Sequence, residues 1–280
     1  MSNNHRTPEA LRRHYEVERE LAQRLRNSTR AERSTLYQTL YAELFSRVPD
    51  HPRLTRREDP ERTRRAVEAR LALLRPFLAQ TQTFLEMAPG DCALAFAMCK
   101  HAREVIAVDI SDQTAPTACR PPNFKLVVYD GYHLDMPDQS VDLAFSYQFL
   151  EHLHPDDVSE HLQLIHRLLR PSGVYVMATP HRFSGPHDIS AHFSDTPEGF
   201  HLREWTYTEL RSALHQSGFA RVRPYRARRL RQSAFWDALE RGAEWIMGYL
   251  PRTWQRRASR RFFQSVTLAA WKSTLPQAAR

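Results

Sequence analysis

Thr83-Phe-Leu-Glu-Met-Ala-Pro-Gly-Asp-Cys92 is a short apolar run that ends in an acid, a tight Pro-Gly turn, and the opening of a small-residue helix. A second apolar run, Val105-Ile-Ala-Val-Asp109, also ends in an acid, twenty-three residues after Glu86. Two such runs with a helix between them lay out a nucleotide-type pocket at the carboxyl ends of two parallel strands. Gly90 lets the backbone turn close to a ligand, and the helix opening near Cys92 directs free N–H groups into the crevice. Asp109 ends its strand where a carboxylate can accept both hydroxyls of a ribose.

The first motif, Glu86 to Cys92, resembles the glycine-rich motif of class I S-adenosylmethionine-dependent methyltransferases, with Ala88, Gly90 and Cys92 at the small-residue positions. Asp109 matches the ribose acid of that family. The resemblance continues in order along the chain. Phe124-Lys-Leu-Val-Val-Tyr-Asp130-Gly131 ends a third strand in an acid, and the resemblance gives Asp130 and Gly131 to the adenine. Ser140 to Leu153 resembles the fourth strand and the following Leu-Glu-His-Leu turn, which implies that Ser146, Tyr147 and Gln148 lie beside the methionine portion of the cofactor. Leu168-Leu-Arg-Pro-Ser-Gly173 is similar to the turn into the fifth strand. Together the matches span roughly residues 83–219.

The fold so implied is α/β: a Rossmann-like class I methyltransferase fold with a mostly parallel seven-stranded sheet and helices on both faces, at residues 81–280. Residues 1–80 are expected to form an N-terminal helical cap. Thr7-Pro8-Glu9 and Asp59-Pro60 place Pro at first helical positions, and Thr29-Arg-Ala-Glu32 is a capping box. Leu36, Leu40 and Leu44, with Tyr37 and Tyr41, form one helical apolar face, read as core. Strands are expected at 83–87, 104–109, 124–129, 141–146, 173–179 and 265–271, with one more opening at Gly218-Phe219. Helices are expected near 92–101, 156–169, 206–217 and 234–249.

Cofactor contacts are expected from Glu86, Ala88, Gly90, Asp109, Asp130, Gly131 and Ser146. For chemistry, His152 is the candidate general base, because imidazole is the side chain that takes a proton near neutrality. The competing reading makes the Glu151-His152 pair a structural helix cap. The polar connection from His181 to His201 faces the transferred methyl group in this fold, and its His187-Asp188 pair, fixed by Gly185-Pro186, is a second candidate. The histidines there lack zinc-like spacing, so no metal is expected. The resemblance extends to bacterial enzymes with a helical N-terminus and a Gly-Pro-His-Asp loop.

Composition sets wider bounds. The chain has 280 residues, 41% hydrophobic and 26% charged, ordinary for a globular protein. Neither a leader nor a membrane span is legible, and Cys92, Cys99 and Cys119 read as reduced thiols, so a cytoplasmic protein is expected. The last sixty residues carry 14 Lys/Arg against 3 Asp/Glu, a net charge of +11. Three readings of function follow. The first is O-methylation of a small-molecule or sugar-like acceptor. The second is RNA methylation, with Arg228, Arg229 and Arg231 on phosphates. The third is a cofactor-binding protein that has lost catalysis. Phe235 to Trp254, apolar with basic flanks, could also rest on an anionic membrane.

Overall fold

The computed structural model describes residues 6–56, 59–115 and 118–274. The polar start Met1–His5, read above as no leader, lies outside them. Nine α-helices and eight strands are found among the described residues. The strands form one sheet in the order β3-β2-β1-β4-β5-β8-β6-β7. Strands β1 (Thr83–Met87), β2 (Glu104–Asp109), β3 (Phe124–Val128), β4 (Val141–Tyr147) and β5 (Leu169–Pro180) run parallel. Strand β8 (Ser265–Trp271) is antiparallel to β5 and to β6 (Arg221–Arg226), between which it lies. The eighth strand is a correction to the expected seven. It is the two-residue β7 (Arg229–Leu230), which folds back on β6 through Ala227 and Arg228, both at positive φ. No glycine or asparagine marks that turn.

Side chains alternate across the sheet with the period of two that a strand imposes. Leu85, Met87, Ile106, Val108, Tyr175 and Met177 enter one cluster, with α6 (Val158–Leu168) and α7 (Tyr207–Gln216). Phe84, Val105, Ala107, Phe145 and Val176 enter the other, with α4 (Pro60–Leu74) and α5 (Ala93–Met98). Helix α5 covers only six residues of the span expected near 92–101. The expected C-terminal helix is α8 (Ala234–Gly248), and α9 (Arg252–Phe262) was not legible at all.

Helices α1 (Pro8–Arg26) and α2 (Arg30–Arg47) pack on each other around Leu21, Leu25, Leu40 and Leu44, and the short α3 (Pro52–Arg56) leads on toward α4. Both long helices begin at the caps read from the sequence: Thr7 Oγ1 accepts from the Ala10 amide, and the Thr29–Glu32 box closes reciprocally. Two devices fasten this cap to the sheet domain. Arg26 donates to the backbone carbonyls of Pro197, Glu198, Gly199 and His201, and Glu18 accepts from the Phe200 amide at 2.9 Å. Arg33 on α2 grips Asp157, at the head of α6, through two bonds of 2.8 Å, and Tyr37 and Tyr132 both donate to the same carboxylate.

The Arg33–Asp157 pair is buried on both sides. Removing one partner of such a pair strands a charge in an apolar setting. Arg33→Met is therefore expected to destabilise the protein by about 3–5 kcal/mol in urea unfolding. Burial alone would raise the Asp157 pKa, but its bonds to Arg33, Tyr132 and Tyr37 hold it below the usual value. The contribution should thus be present at neutral pH and be lost as pH falls through the acid range. Equal stability of variant and wild type at pH 7 would mean the clamp contributes nothing.

Candidate active site

A cavity of about 410 Å³ opens at the carboxyl ends of β1, β2 and β4. Its floor is built from Glu86, Ala88, Gly90, Asp109 and Gly131, and His152 and Phe149 close one side. The cap supplies the roof: Tyr37 and Tyr41 from α2, Arg53 from α3, and Arg62, Thr63 and Arg70 from α4. The two tyrosines read as core pack against the cap cluster and line the cavity as well. The helical face that packs α2 onto α1 is wide enough to reach past the cap core, which periodicity alone does not reveal.

The turn after β1 holds the three small-residue positions in left-handed conformation: Ala88 at φ 52°, Gly90 at 62° and Cys92 at 59°. Glycine takes that region freely, whereas Ala88 and Cys92 each carry roughly 1–2 kcal/mol of steric strain. Cys92 turns its side chain into the α4–α5 cluster, away from the cavity, where burial pushes its thiol up to about 12. The thiol is inert, and the backbone of the turn stays accessible. At Gly90 a Cβ would meet nothing within 4 Å, so open space adjoins the backbone there.

Two carboxylates face this space. Asp109 accepts from the amides of Gly90 (3.2 Å) and Ile110 (2.7 Å), which pins it at the strand end; burial outweighs those bonds and raises its pKa. Glu86 is buried, and burial pushes its pKa to about 8. Its Oε2 has no hydrogen-bond partner. An orphaned buried carboxylate oxygen at a cavity wall awaits a donor from a ligand. Arg70, whose guanidinium lies 4.6 Å from the Tyr147 ring, supplies a favourable charge that opposes the effect of burial on Glu86.

His152 lines the same cavity. Its Nδ1 bonds the Phe200 carbonyl at 2.9 Å, so that nitrogen donates its proton and Nε2 carries the lone pair. Burial, helped by the neighbouring His201 and Arg53, holds the ring neutral well below the ordinary pKa. His201, whose Nδ1 meets Glu204 at 2.9 Å, packs edge-on against it at 5.1 Å between ring centres. Donor atoms of Glu151, His152 and His201 all fall within 4.8 Å of one another. His201 reaches this group from a loop fifty residues on, which no local spacing could disclose.

Four sequence candidates lie outside the cavity lining. Ser146 points to the opposite sheet face and bonds Tyr175 Oη at 2.7 Å; strand alternation hands the cavity side to Tyr147. Asp130 turns to the amides of Tyr132 and His133 and to the His133 ring, while Gly131 stays at the wall. His187 bonds Ser184 at 2.9 Å, and Asp188 accepts from the amides of Ser190 and Gly199. Those two side chains organise their own loop rather than the cavity.

Residues 85–177 match the family described as a methyltransferase domain. A probable S-adenosylmethionine-dependent methyltransferase of Mycolicibacterium smegmatis is 34% identical over 140 residues, 48% of this chain and 51% of the relative. One of Mycobacterium tuberculosis is 37% identical over 127 residues, 43% and 42% of the two chains. The chain thus spans about half the length of the curated relatives it matches. Among solved structures, the Burkholderia thailandensis 1,6-didemethyltoxoflavin-N1-methyltransferase, with bound S-adenosylhomocysteine, superposes with a TM-score of 0.57 at 20% identity, over 88% of this chain and 91% of that one. A methyltransferase of Archaeoglobus fulgidus gives 0.51 at 19%, over 75% and 94%. Both show the shared fold. Residues 85–177 are thus a methyltransferase domain of the S-adenosylmethionine-dependent kind, and S-adenosylmethionine is the cofactor of that domain.

The residues present fit that cofactor. Asp109 suits ribose hydroxyls, and Glu86 offers an unpartnered acceptor. Because the fold prefers Glu86 neutral, its ionisation removes stability as pH rises from the ordinary carboxylate value through about 8. Glu86→Gln should therefore melt higher than wild type at pH 9, match it near pH 4, and bind the cofactor more weakly. A variant that binds the cofactor as tightly as wild type would take Glu86 out of the site.

Proposed function

We propose that this protein methylates an oxygen of a small-molecule or sugar-like acceptor, with His152 taking the hydroxyl proton. The observation that carries this reading is the locked ring of His152, with Nδ1 spent on a backbone carbonyl and the ring lining the same cavity as Glu86 and Asp109. When bound, S-adenosylmethionine supplies an electrophilic methyl on a sulfonium. Asp109 and Glu86 would hold that cofactor against the β1 turn. His152 would receive the proton at Nε2 as the acceptor oxygen forms its new bond to carbon. Tyr37, Tyr41 and Phe200 would exclude water and orient the acceptor, which is where most of the rate of such a displacement arises.

A small acceptor is favoured by the roof, since α2 and α4 close over the cavity. The RNA reading rests on Arg228 and Arg229, which are exposed, and on Arg231, whose guanidinium lies 4.8 Å from the Trp236 ring; Arg223 and Arg226 beside them are spent on buried acids.

Calorimetry with S-adenosylmethionine and S-adenosylhomocysteine tests the pocket, and binding should be lost in Asp109→Ala. An acceptor screen with methyl-labelled cofactor, led by hydroxylated small molecules and glycans, tests the chemistry. His152→Gln should then keep cofactor affinity and lose on the order of 10²–10⁴-fold in kcat. The wild-type rate should stay flat from pH 6 to 8, because His152 is already neutral there. Transfer confined to nitrogen or carbon acceptors would sink the oxygen assignment, and no cofactor binding would favour the non-catalytic reading.

A further inference from the structure

Helix α8 is turned inside out. Residues 221–280 contain three acids, Asp237, Glu240 and Glu244, and all three are buried on its inner face. There Asp237 meets Arg223 at 2.8 Å, Glu240 meets Arg226 at 2.8 Å, and Glu244 bonds His181 at 2.9 Å. The outer face shows Phe235, Leu239, Trp245, Ile246 and Tyr249 to solvent, with Trp245 at 66% and Tyr249 at 74% exposure. Trp254 and Phe262 are exposed on α9, the next helix along the chain. Seven of the eleven large apolar side chains exposed among the described residues lie in this one segment, so this is a patch rather than scatter.

The charge beside the patch says what it fits. Helix α9 reads Arg-Thr-Trp-Gln-Arg-Arg-Ala-Ser-Arg-Arg-Phe, without an acid, and Arg257, Arg260 and Arg261 are exposed. With every acid of the segment buried, α8 and α9 themselves expose no acid among the described residues, and the exposed Asp195 beside them is paired with Arg256. Exposed Trp and Tyr interleaved with Arg is the composition of a helix lying in the interfacial layer of a bilayer, rings at the head-group level and guanidinium groups on phosphates. The surface is also tied to the site. Arg252 donates to the Gly185 carbonyl at 3.1 Å and Arg256 meets Asp195 at 2.7 Å, both in the loop whose Phe200 lines the cavity.

We propose that α8 and α9 dock this protein on an anionic membrane surface, the aromatic row entering the interfacial layer and the α9 arginines binding lipid phosphates. No helix among the described residues is long and apolar enough to cross a membrane, so the contact is peripheral. It stands apart from the methyl-transfer reading and needs neither cofactor nor acceptor.

The test is co-sedimentation of the full chain with vesicles of phosphatidylcholine alone and of phosphatidylcholine with phosphatidylglycerol. Binding should appear with the anionic vesicles only and weaken as salt is raised. Arg257→Gln, Arg260→Gln and Arg261→Gln together should weaken partitioning on the order of 100-fold, at about 1 kcal/mol per basic residue. Trp245→Ser with Tyr249→Ser should weaken it through the apolar row. All five positions are exposed, and unchanged melting temperatures confirm that the variants fold. Absence of vesicle binding, equal binding to both compositions, or binding indifferent to both variants overturns the proposal. So does a dimer in sedimentation velocity that dissociates on Trp245→Ser, which would assign the face to a second copy of the chain.

Discussion

The bidentate grip of Arg33 on Asp157 holds the cavity together, because it fixes α2 at the carboxyl edge of the sheet. Tyr37 takes part twice, donating to Asp157 and accepting from the His154 amide at 2.9 Å. Its ring then lies 3.2 Å from where a Cβ on Gly131 would stand, so the cavity wall and the clamp share one side chain. A floor of strand ends alone would be an open crevice. With the cap seated it becomes an enclosure, in which a carboxylate such as Glu86 can be pushed to about 8 by the loss of water.

The molecule distributes its charged groups in an unusual way. Buried carboxylates recur at the cavity (Glu86, Asp109), behind it (Glu151, Glu204) and under α8 (Asp237, Glu240, Glu244). Those under α8 are matched by ion pairs to Arg211, Arg223 and Arg226 and by a hydrogen bond to His181, so that helix is held by polar contacts where most helices are held by leucines. Its apolar residues are thereby left for the outside. The pattern has a cost, since paired buried charges repay little of their desolvation.

Much of this was legible in the sequence, for definite reasons. Strands β1 and β2 are bounded by acids and turns, and their limits at 83–87 and 104–109 follow from those residues. The caps at Thr7, Thr29 and Asp59 announce their helices through local hydrogen bonds. What escaped detection depends on distant parts of the chain. Helix α9 is mostly arginine, with a sparse apolar stripe of Trp254, Ala258 and Phe262, and the turn at Ala227-Arg228 uses residues that carry no turn signal. In the site, Gly90, Asp109 and His152 were named from motif and register. His187 and Asp188 are candidates through the place of their loop in the fold and the flanking Gly185-Pro186, but their partners lie within the loop itself. Ser146 and Tyr147 differ by one position and hence by one sheet face, a distinction that a motif does not make. Tyr37, Tyr41 and His201 reach the cavity region through tertiary contacts alone.

Strand β8 carries a consequence for the order in which the fold can be made. It is inserted between β5 and β6, pairing with Val174 to Pro180 on one side and Arg221 to Pro224 on the other. During synthesis β6 therefore emerges long before the only strand that can join it to β5. Until residues 265–271 are available, both strands present unpaired edges, and Val176, Met177 and Val222 lack their partners Ala269, Leu268 and Ala270. The half-sheet from β3 to β5 can form early, on contacts made entirely with parallel partners. Closure of the rest waits for a late, non-local pairing, which is slow by the entropy of the intervening loop and leaves an exposed edge in the interval. Helix α8, with its solvent-facing aromatics, is on the chain throughout that wait.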